Sequence, residues 1–576
     1  MVCPRAASLA ACITTLTLAA CAPALAAVPR PDPVLEALLG ELDRDRAGLQ
    51  LEGYERPYYV ALVALQTEEH DLGAKLGALA VDQRKKSRQA TADVRVGSYA
   101  LDSSADPEQD WVEEGLIEPS SAVPLDDGPL AALRHTLWLV TDFRYKQALA
   151  SYLKVKGQGV HRLDDREDGP SFSAAPPTGH LDPLTSLSWD DARWRRVART
   201  LSARLARDPI LFDSEVRIEA SLQTRWLVNT EGARIRTVRP MFAIHATGWT
   251  RADDGMAIDH SFDLYAPSEA GLPSEADLTR AIDQLLETLR ALRVAPILEP
   301  YTGPAIVDAT ATGVLFHEIL GHRLEGHRQG ADGDGQTFSR YLGQPILPDF
   351  LSLFDDPTLA TLAGQPLNGA YRIDDEGVRA ERVTLIDRGV LKSFLNPRRP
   401  GPGATRSNGH GRAAGLQRPV ARQGNLLLVA HRATPEADLK GLLIQEARRQ
   451  NKHFGLIIRD LAGGQTNTSS FGYQAFKGEA RTVYKVDVDT GHETLVRGVD
   501  LVGTPLATLG KILAVGDRPG VFNGFCGAES GFVPVSAIAP ATLFSEVELQ
   551  RSARPRSRPP VLPNPLAPAR PSEARP

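Results

Sequence analysis

Of the four cysteines in the chain, three, Cys3, Cys12 and Cys21, fall within its first 21 residues. Cys526 is therefore the lone thiol of the remaining body. No disulfide can form inside that body, so its stability has to come from buried apolar surface. At 576 residues the chain is past the size at which one hydrophobic core stops growing, and two domains of ordinary size are expected. A lone thiol in such a body is either a small buried hydrophobe or a thiolate held by a metal or by catalysis. Its neighbours decide between the two.

The start of the chain suggests the compartment. Residues 1–27 place a single cation, Arg5, before the apolar run Ala6 to Ala22 and small residues at Ala24 and Ala26, the layout of a secretory signal peptide. Leu18-Ala19-Ala20-Cys21 also fits a lipobox, in which Cys21 becomes a lipidated N-terminus, and both cleavages stay open. The protein is expected to be exported, periplasmic or envelope-associated. No transmembrane span is expected, because no later run of about eighteen apolar residues occurs. The formal charge of -6 gives no pull toward phosphate backbones, which argues against a nucleic-acid partner. The Pro- and Arg-rich end, residues 551–576, reads as a disordered extension.

Hydrophobic periodicity divides the body in two. Pro31 to Leu49, Leu130 to Val155, Trp189 to Ala206 and Ser274 to Leu292 have helical spacing, the last with Ser274 as N-cap. Tyr58 to Leu65, Ala92 to Leu101, Glu215 to Gln223, Arg225 to Asn229 and Arg234 to Thr250 read as strands. After Pro296–Pro304, which reads as a linker, comes a short strand Ala305 to Val307 and a helical pattern from Val314 to Arg328. Strand-like runs follow at Val383–Ile386, Leu426–Val429, Gly455–Ile458, Arg481–Val488 and Val533–Ser536, interrupted by a helix starting at Thr434-Pro435-Glu436. The chain is thus expected to be α+β, with an N-terminal α/β domain over residues 30–298. A β-rich C-terminal domain over 299–550 carries the helix that bears the chemistry.

That helix contains His317-Glu318-Ile319-Leu320-Gly321-His322. Two imidazoles with a carboxylate directly after the first are the groups a hydrolytic zinc site needs, two neutral nitrogen ligands and a base for the bound water. The spacing is unusual. At about 100° per residue, positions four apart differ by about 40° around a helix, and positions five apart by about 140°. The two rings can meet one ion only if the helix widens by a π-type turn between His317 and His322, or ends there, with Gly321 as the easiest place to yield. Otherwise one histidine is buried and the other is on the surface. Asn523-Gly524-Phe525-Cys526-Gly527 offers the third ligand, on a loop that its glycines free to approach the ion, and two His with one Cys is a known catalytic zinc set. Glu325 and His327, further along the same helix, are rival ligands.

With these residues in place, the chain resembles the TldD/PmbA metallopeptidases, specifically their metal-bearing TldD-type members. The resemblance rests on Gly313-Val314-Leu315-Phe316-His317-Glu318 with Gly321-His322-Arg323-Leu324-Glu325-Gly326, on Asp374-Asp375-Glu376-Gly377 with Gly389-Val390-Leu391-Lys392, and on Phe525-Cys526-Gly527 before Val533-Pro534-Val535-Ser536. It runs from about residue 50 to 550. It implies an N-terminal α/β domain, a β-rich C-terminal domain, zinc on His317, His322 and Cys526, and water activated by Glu318. It also implies a dimer enclosing the site and cleavage of unfolded peptides with little sequence preference. Cytosolic members often act with a metal-free partner subunit, but an exported chain with its own ligand set is more simply a homodimer. The acidic run Asp374–Gly377 is left unassigned, since an acidic cluster before Gly is more often a turn than a site. Two rival readings stand beside this one, a noncatalytic metal-stabilised binding protein of the envelope and a partner subunit of another peptidase. A fourth protein ligand would favour the binding protein, since structural zinc sites are closed.

Overall fold

The structure, a computed structural model, describes residues 32–105, 118–159, 170–329, 337–401, 403–468, 475–554, 556, 557 and 562. The signal segment with Cys21, and most of the 551–576 extension, lie outside the described residues. Among the described residues no helix is long and apolar enough to cross a membrane.

The first half is built on a seven-stranded sheet. Pro57–Lys75 turns through Leu76 and Gly77, both with positive φ, into Ala78–Val96. Asp213–Asn229, Arg234–Arg251 and Ala257–Ala266 extend the sheet antiparallel from Pro57–Lys75, and the short Gly179–Leu181 runs parallel beside Arg234–Arg236. The opening hairpin is longer than the apolar alternation at Tyr58–Leu65 foretells, and its second strand ends at Val96, short of Leu101. Most of the added length is polar, Leu72 and Ala74 being buried exceptions. Ala80–Lys86 is exposed on both faces, and Glu68 sits opposite Lys86 at 2.8 Å, so no hydrophobic period marks it.

Alternate residues of this sheet have different neighbours, as the two-residue repeat of a strand requires. Val60, Leu62, Val216, Ile218 and Ile244 pack with the helices Pro33–Gly48, Ala131–Gly159, Asp191–Ala206 and Glu275–Val294. Ser274 caps the last of these by accepting from the Asp277 N–H at 3.2 Å. Val63, Leu227 and Ile235 turn the other way and meet Ile373 of the second half. Strands and helices alternate along the sequence as expected, but tight turns join neighbouring strands, so the sheet is antiparallel rather than wound through crossover helices. Asp374 accepts from the N–H groups of Glu376, Val378 and Gly411 and closes a turn. Asp375 beside it lies 3.8 Å from Arg225 and 3.7 Å from Arg239 of the N-terminal sheet, so the acidic run also joins the two halves.

The second half is an eleven-stranded sheet that closes on itself. Tyr301–Val307 pairs parallel with Phe454–Thr466 on one side and antiparallel with Gly531–Arg551 on the other. Phe476–Asp487 and Val499–Gly503 complete the ring. Closure leaves those five strands with few free edges. The strand Tyr301–Val307 begins inside the segment read as a linker, because Tyr301 and Gly303 pair with Leu549 and Val547. The later strand-like runs all fall within observed strands, to within a residue at their ends. The expected helix spans Glu436–Arg449.

Candidate metal centre

The helix that carries the histidines leaves the ring directly. Ala309–Phe316 follows Tyr301–Val307 after the single residue Asp308, and Thr312 Oγ1 donates to Val307 O at 2.8 Å to fix the corner. His317–Gly321 is then a π-helix, with the His322 N–H donating to His317 O five residues back. The widened turn cancels the angular mismatch of the five-residue spacing, and both rings are buried with centroids 5.0 Å apart. Gly321 matters for room rather than for its dihedrals. Its φ of -50° is ordinary for a helix, but a Cβ there would lie 1.9 Å from Gln423 Oε1. Past this point the expected helix to Arg328 breaks into 3-10 turns at His322–Leu324 and Gly326–Gln329 around an extended Glu325.

Cys526 arrives on a strand, not on the expected loop. Asn523–Gly527 pairs residue for residue with Phe532–Ser536 across a hairpin. Its Sγ lies 3.1 Å from His317 Nε2 and 3.3 Å from His322 Nε2, and the three ligand atoms lie within 4.8 Å of one another. Zinc bonds of about 2.3 Å to sulfur and about 2.1 Å to nitrogen, at tetrahedral angles, put sulfur and nitrogen about 3.5 Å apart. The donor set therefore fits one such ion with little movement. Burial alone would push the Cys526 thiol up, but the two imidazoles hold it well below its ordinary range, so the sulfur favours the thiolate form that binds metals. Burial would lower His322, yet the charges of Cys526 and Glu325 raise it.

Glu318 lies beside this cluster and is also buried. Burial raises its carboxyl above the usual range, and the Cys526 charge adds to that while the imidazoles and Arg323 oppose it. Its side chain packs on Gly464 of Phe454–Thr466, where a Cβ would come 2.2 Å from Glu318 Cγ. Arg323 ties the two elements together, donating to Glu318 O at 2.9 Å, to Thr466 Oγ1 and to Asn467 O. All four predicted site residues line one cleft of about 700 Å³.

The rival ligands have other work. Glu325 lies at the back of the His322 ring, its Oε2 3.4 Å from Nδ1 and 2.8 Å from Arg328 Nε. His327 pairs with Glu529 instead. A carboxylate behind a ligating imidazole fixes the ring and strengthens it as a donor. Glu325→Gln, which keeps the shape and removes the charge, is expected to lower zinc affinity by about tenfold in a competition titration against a chromophoric chelator. Unchanged affinity would remove Glu325 from the centre. Arg422, fully buried, completes the support by donating to Cys526 O, to Ser530 Oγ at 2.9 Å and to Gly531 O at 2.9 Å, with its Nε 3.7 Å from Glu325. Neither Arg422 nor Gln423 carries a periodic or motif signal. Gly464 carried one, since paired glycines inside an apolar strand mark close approach.

Known proteins share part of this sequence and its fold. Residues 300–551 match the PmbA/TldA metallopeptidase C-terminal domain. A metalloprotease of Archaeoglobus fulgidus is 30% identical over 241 residues, covering 41% of this chain and 51% of that protein. A metalloprotease TldD homolog of Buchnera aphidicola is 26% identical over 418 residues, covering 68% and 77%. A zinc metalloprotease TldD homolog of Saccharolobus solfataricus is 22% identical over 240 residues, covering 40% and 48%. The chain spans about half the length of the first and third of these relatives. Its fold is that of TldE from Thermococcus kodakarensis, with a TM-score of 0.56 at 13% identity over 89% of this chain and 100% of that one.

Proposed function

Because the chain belongs to the PmbA/TldD metallopeptidase family through residues 300–551, we propose that it is an exported zinc-dependent peptidase hydrolysing peptide bonds in unfolded or extended chains. The observation that carries this reading is the convergence of His317, His322 and Cys526, with Glu318, in one cleft. These three side chains would hold zinc, which supplies Lewis acidity and lowers the pKa of a bound water to about 7. Glu318 would take the proton of the attacking water on its carboxylate and pass it to the departing amine nitrogen. Its burial favours that exchange by raising the carboxyl above its usual range.

The substrate backbone has a place to pair. Beyond Ile458, the edge of Phe454–Thr466 away from Phe476–Asp487 has no strand partner among the described residues, and Ala462–Gln465 on that stretch line the cleft. An extended peptide would add there as a strand, bound through main-chain hydrogen bonds that do not read side chains. A folded protein cannot offer such a strand, which accounts for the choice of unfolded substrates. Residues 1–27 favour the periplasm or envelope as the working compartment, with anchoring at Cys21 as the variant case. A homodimer is the simplest assembly for a chain that carries the whole ligand set.

The noncatalytic alternative calls for a fourth protein ligand, and among the described residues no fourth His, Cys, Asp or Glu joins the cluster. The deciding experiment measures zinc in the purified protein beside its digestion of a denatured protein, before and after chelation. We expect about one zinc per chain, loss of digestion with the metal, and recovery on adding zinc back. A metal-loaded protein that digests nothing would instead support the binding-protein reading.

A further inference from the structure

Phe522, Phe525 and Phe532 line the same cleft as Cys526. Phe522 is half-buried against the core, but Phe525 and Phe532 are poorly covered, 45% and 71% exposed. Phenyl rings left that open lose contact energy to water unless something apolar covers them. Here they flank a cluster of charged and metal-ligating groups, where exposed apolar surface would otherwise have little reason to collect.

The hairpin register sets how the rings are arranged. Cys526 faces Val533 across the pair, Gly527 faces Phe532, and Phe525 faces Pro534. Since alternate residues share a face, Phe522 stands on the Cys526 side, while Phe525 and Phe532 stand together on the other. Each face has a glycine that a ring lies over. A Cβ on Gly524 would come 2.7 Å from Phe522 Cζ, and one on Gly527 would come 2.7 Å from Phe532 Cε1. Tyr265 of the N-terminal sheet supports Phe525 edge-on, with centroids 5.7 Å apart at 66°. Phe525 is therefore held in place before any ligand arrives, which spares part of the ordering cost of binding. Elsewhere in the lining, Ala462, Gly463 and Gly464 carry nothing larger than a methyl group, which leaves room for a bulky guest.

We propose that Phe525 and Phe532, together on one face of the hairpin at the cleft, form a specificity subsite that takes a large apolar side chain, aromatic or long aliphatic, from an extended peptide. The inference rests on the peptidase reading and narrows it. Main-chain pairing along Ala462–Gln465 would accept any sequence, and the aromatic wall would select segments rich in buried-type residues. Those are the segments a folded protein hides and an unfolded one exposes, so the subsite adds a second reason for preferring unfolded chains.

The test uses the full zinc-loaded chain carrying Glu318→Gln, so that no peptide is consumed during measurement. Fluorescein-labelled peptides that differ at one position, Phe, Leu or Gly, are titrated by fluorescence anisotropy. The Phe peptide is expected to bind about tenfold more tightly than the Gly peptide, the scale of one apolar side chain in a pocket. Phe525→Ala and Phe532→Ala should each cut that ratio to about threefold, and Phe525→Leu should keep most of it. Zinc content and far-UV circular dichroism confirm that each variant is folded and loaded. Equal binding of the Phe and Gly peptides, a ratio unmoved by the substitutions, or no peptide binding overturns the proposal. So does Phe532→Ala turning a dimer into a monomer in sedimentation while leaving the ratio alone, which would assign the rings to contact with a second copy. If the ratio behaves as expected but the unsubstituted enzyme cleaves nothing, hydrolysis fails and the subsite stands.

Discussion

Glu318→Gln is expected to keep about one zinc per chain and to lower kcat/KM for an unfolded substrate by about three orders of magnitude, the middle of what general-base catalysis contributes. The two halves of this result come from different atoms. Zinc would be held by two imidazole nitrogens and a thiolate, none of which changes. Gln keeps the side-chain shape that packs on Gly464, so Phe454–Thr466 stays where it is and peptide binding should survive. What disappears is an oxygen able to hold a proton, and no other carboxylate joins the ligand cluster among the described residues. Inductively coupled plasma metal analysis and digestion of a denatured protein check both halves on one preparation. Digestion at the unsubstituted rate would show that some other group is the base.

How much of this was legible beforehand depends on the range of the interaction. The His317–His322 spacing called for a widened turn or a helix end, because a regular helix cannot aim both rings at one point, and the π-helix His317–Gly321 is the first of these. Local hydrophobic periods placed the helix Glu275–Val294 to within two residues and the start of Glu436–Arg449 to within one. Local pattern failed where distant partners decide. The end of the helix after Gly321 is set by Glu325 turning inward to His322 and Arg328. Cys526 sits on a strand because Phe532–Ser536 pairs with its neighbours, although its flanking glycines look like a loop from the sequence alone. Closure of the ring between Tyr301–Val307 and Gly531–Arg551 joins segments more than two hundred residues apart, and no short-range period encodes it. Arg422 escaped for the same reason, since its partners Cys526 and Ser530 lie about a hundred positions away.

Cys526→Ser is expected to abolish stable zinc binding while leaving the fold intact. Structural zinc sites with four ligands are worth roughly 10–16 kcal/mol, or about 3 kcal/mol per ligand, so removing one lowers affinity by about 10²–10³-fold before any charge is counted. The real loss should be larger, because the thiolate is the negatively charged member of a set whose other members are neutral imidazoles. The fold has little at stake in the same atom. Cys526 belongs to a small buried group with Val533 and Val535, apart from the large core cluster of the second half, and Ser nearly matches its volume. Thermal unfolding with and without added zinc separates the two effects. The unsubstituted protein should melt at a higher temperature with zinc, since a ligand that binds only the native state stabilises it more as its concentration rises above Kd. The variant should melt near the zinc-free value in both conditions. Glu318→Gln should still respond to zinc like the unsubstituted protein, so the pair distinguishes the residue that holds the metal from the one that moves the proton. A Cys526→Ser protein that retains zinc and digests peptide would place the third ligand elsewhere and remove the chemical basis for joining the hairpin to the histidine helix.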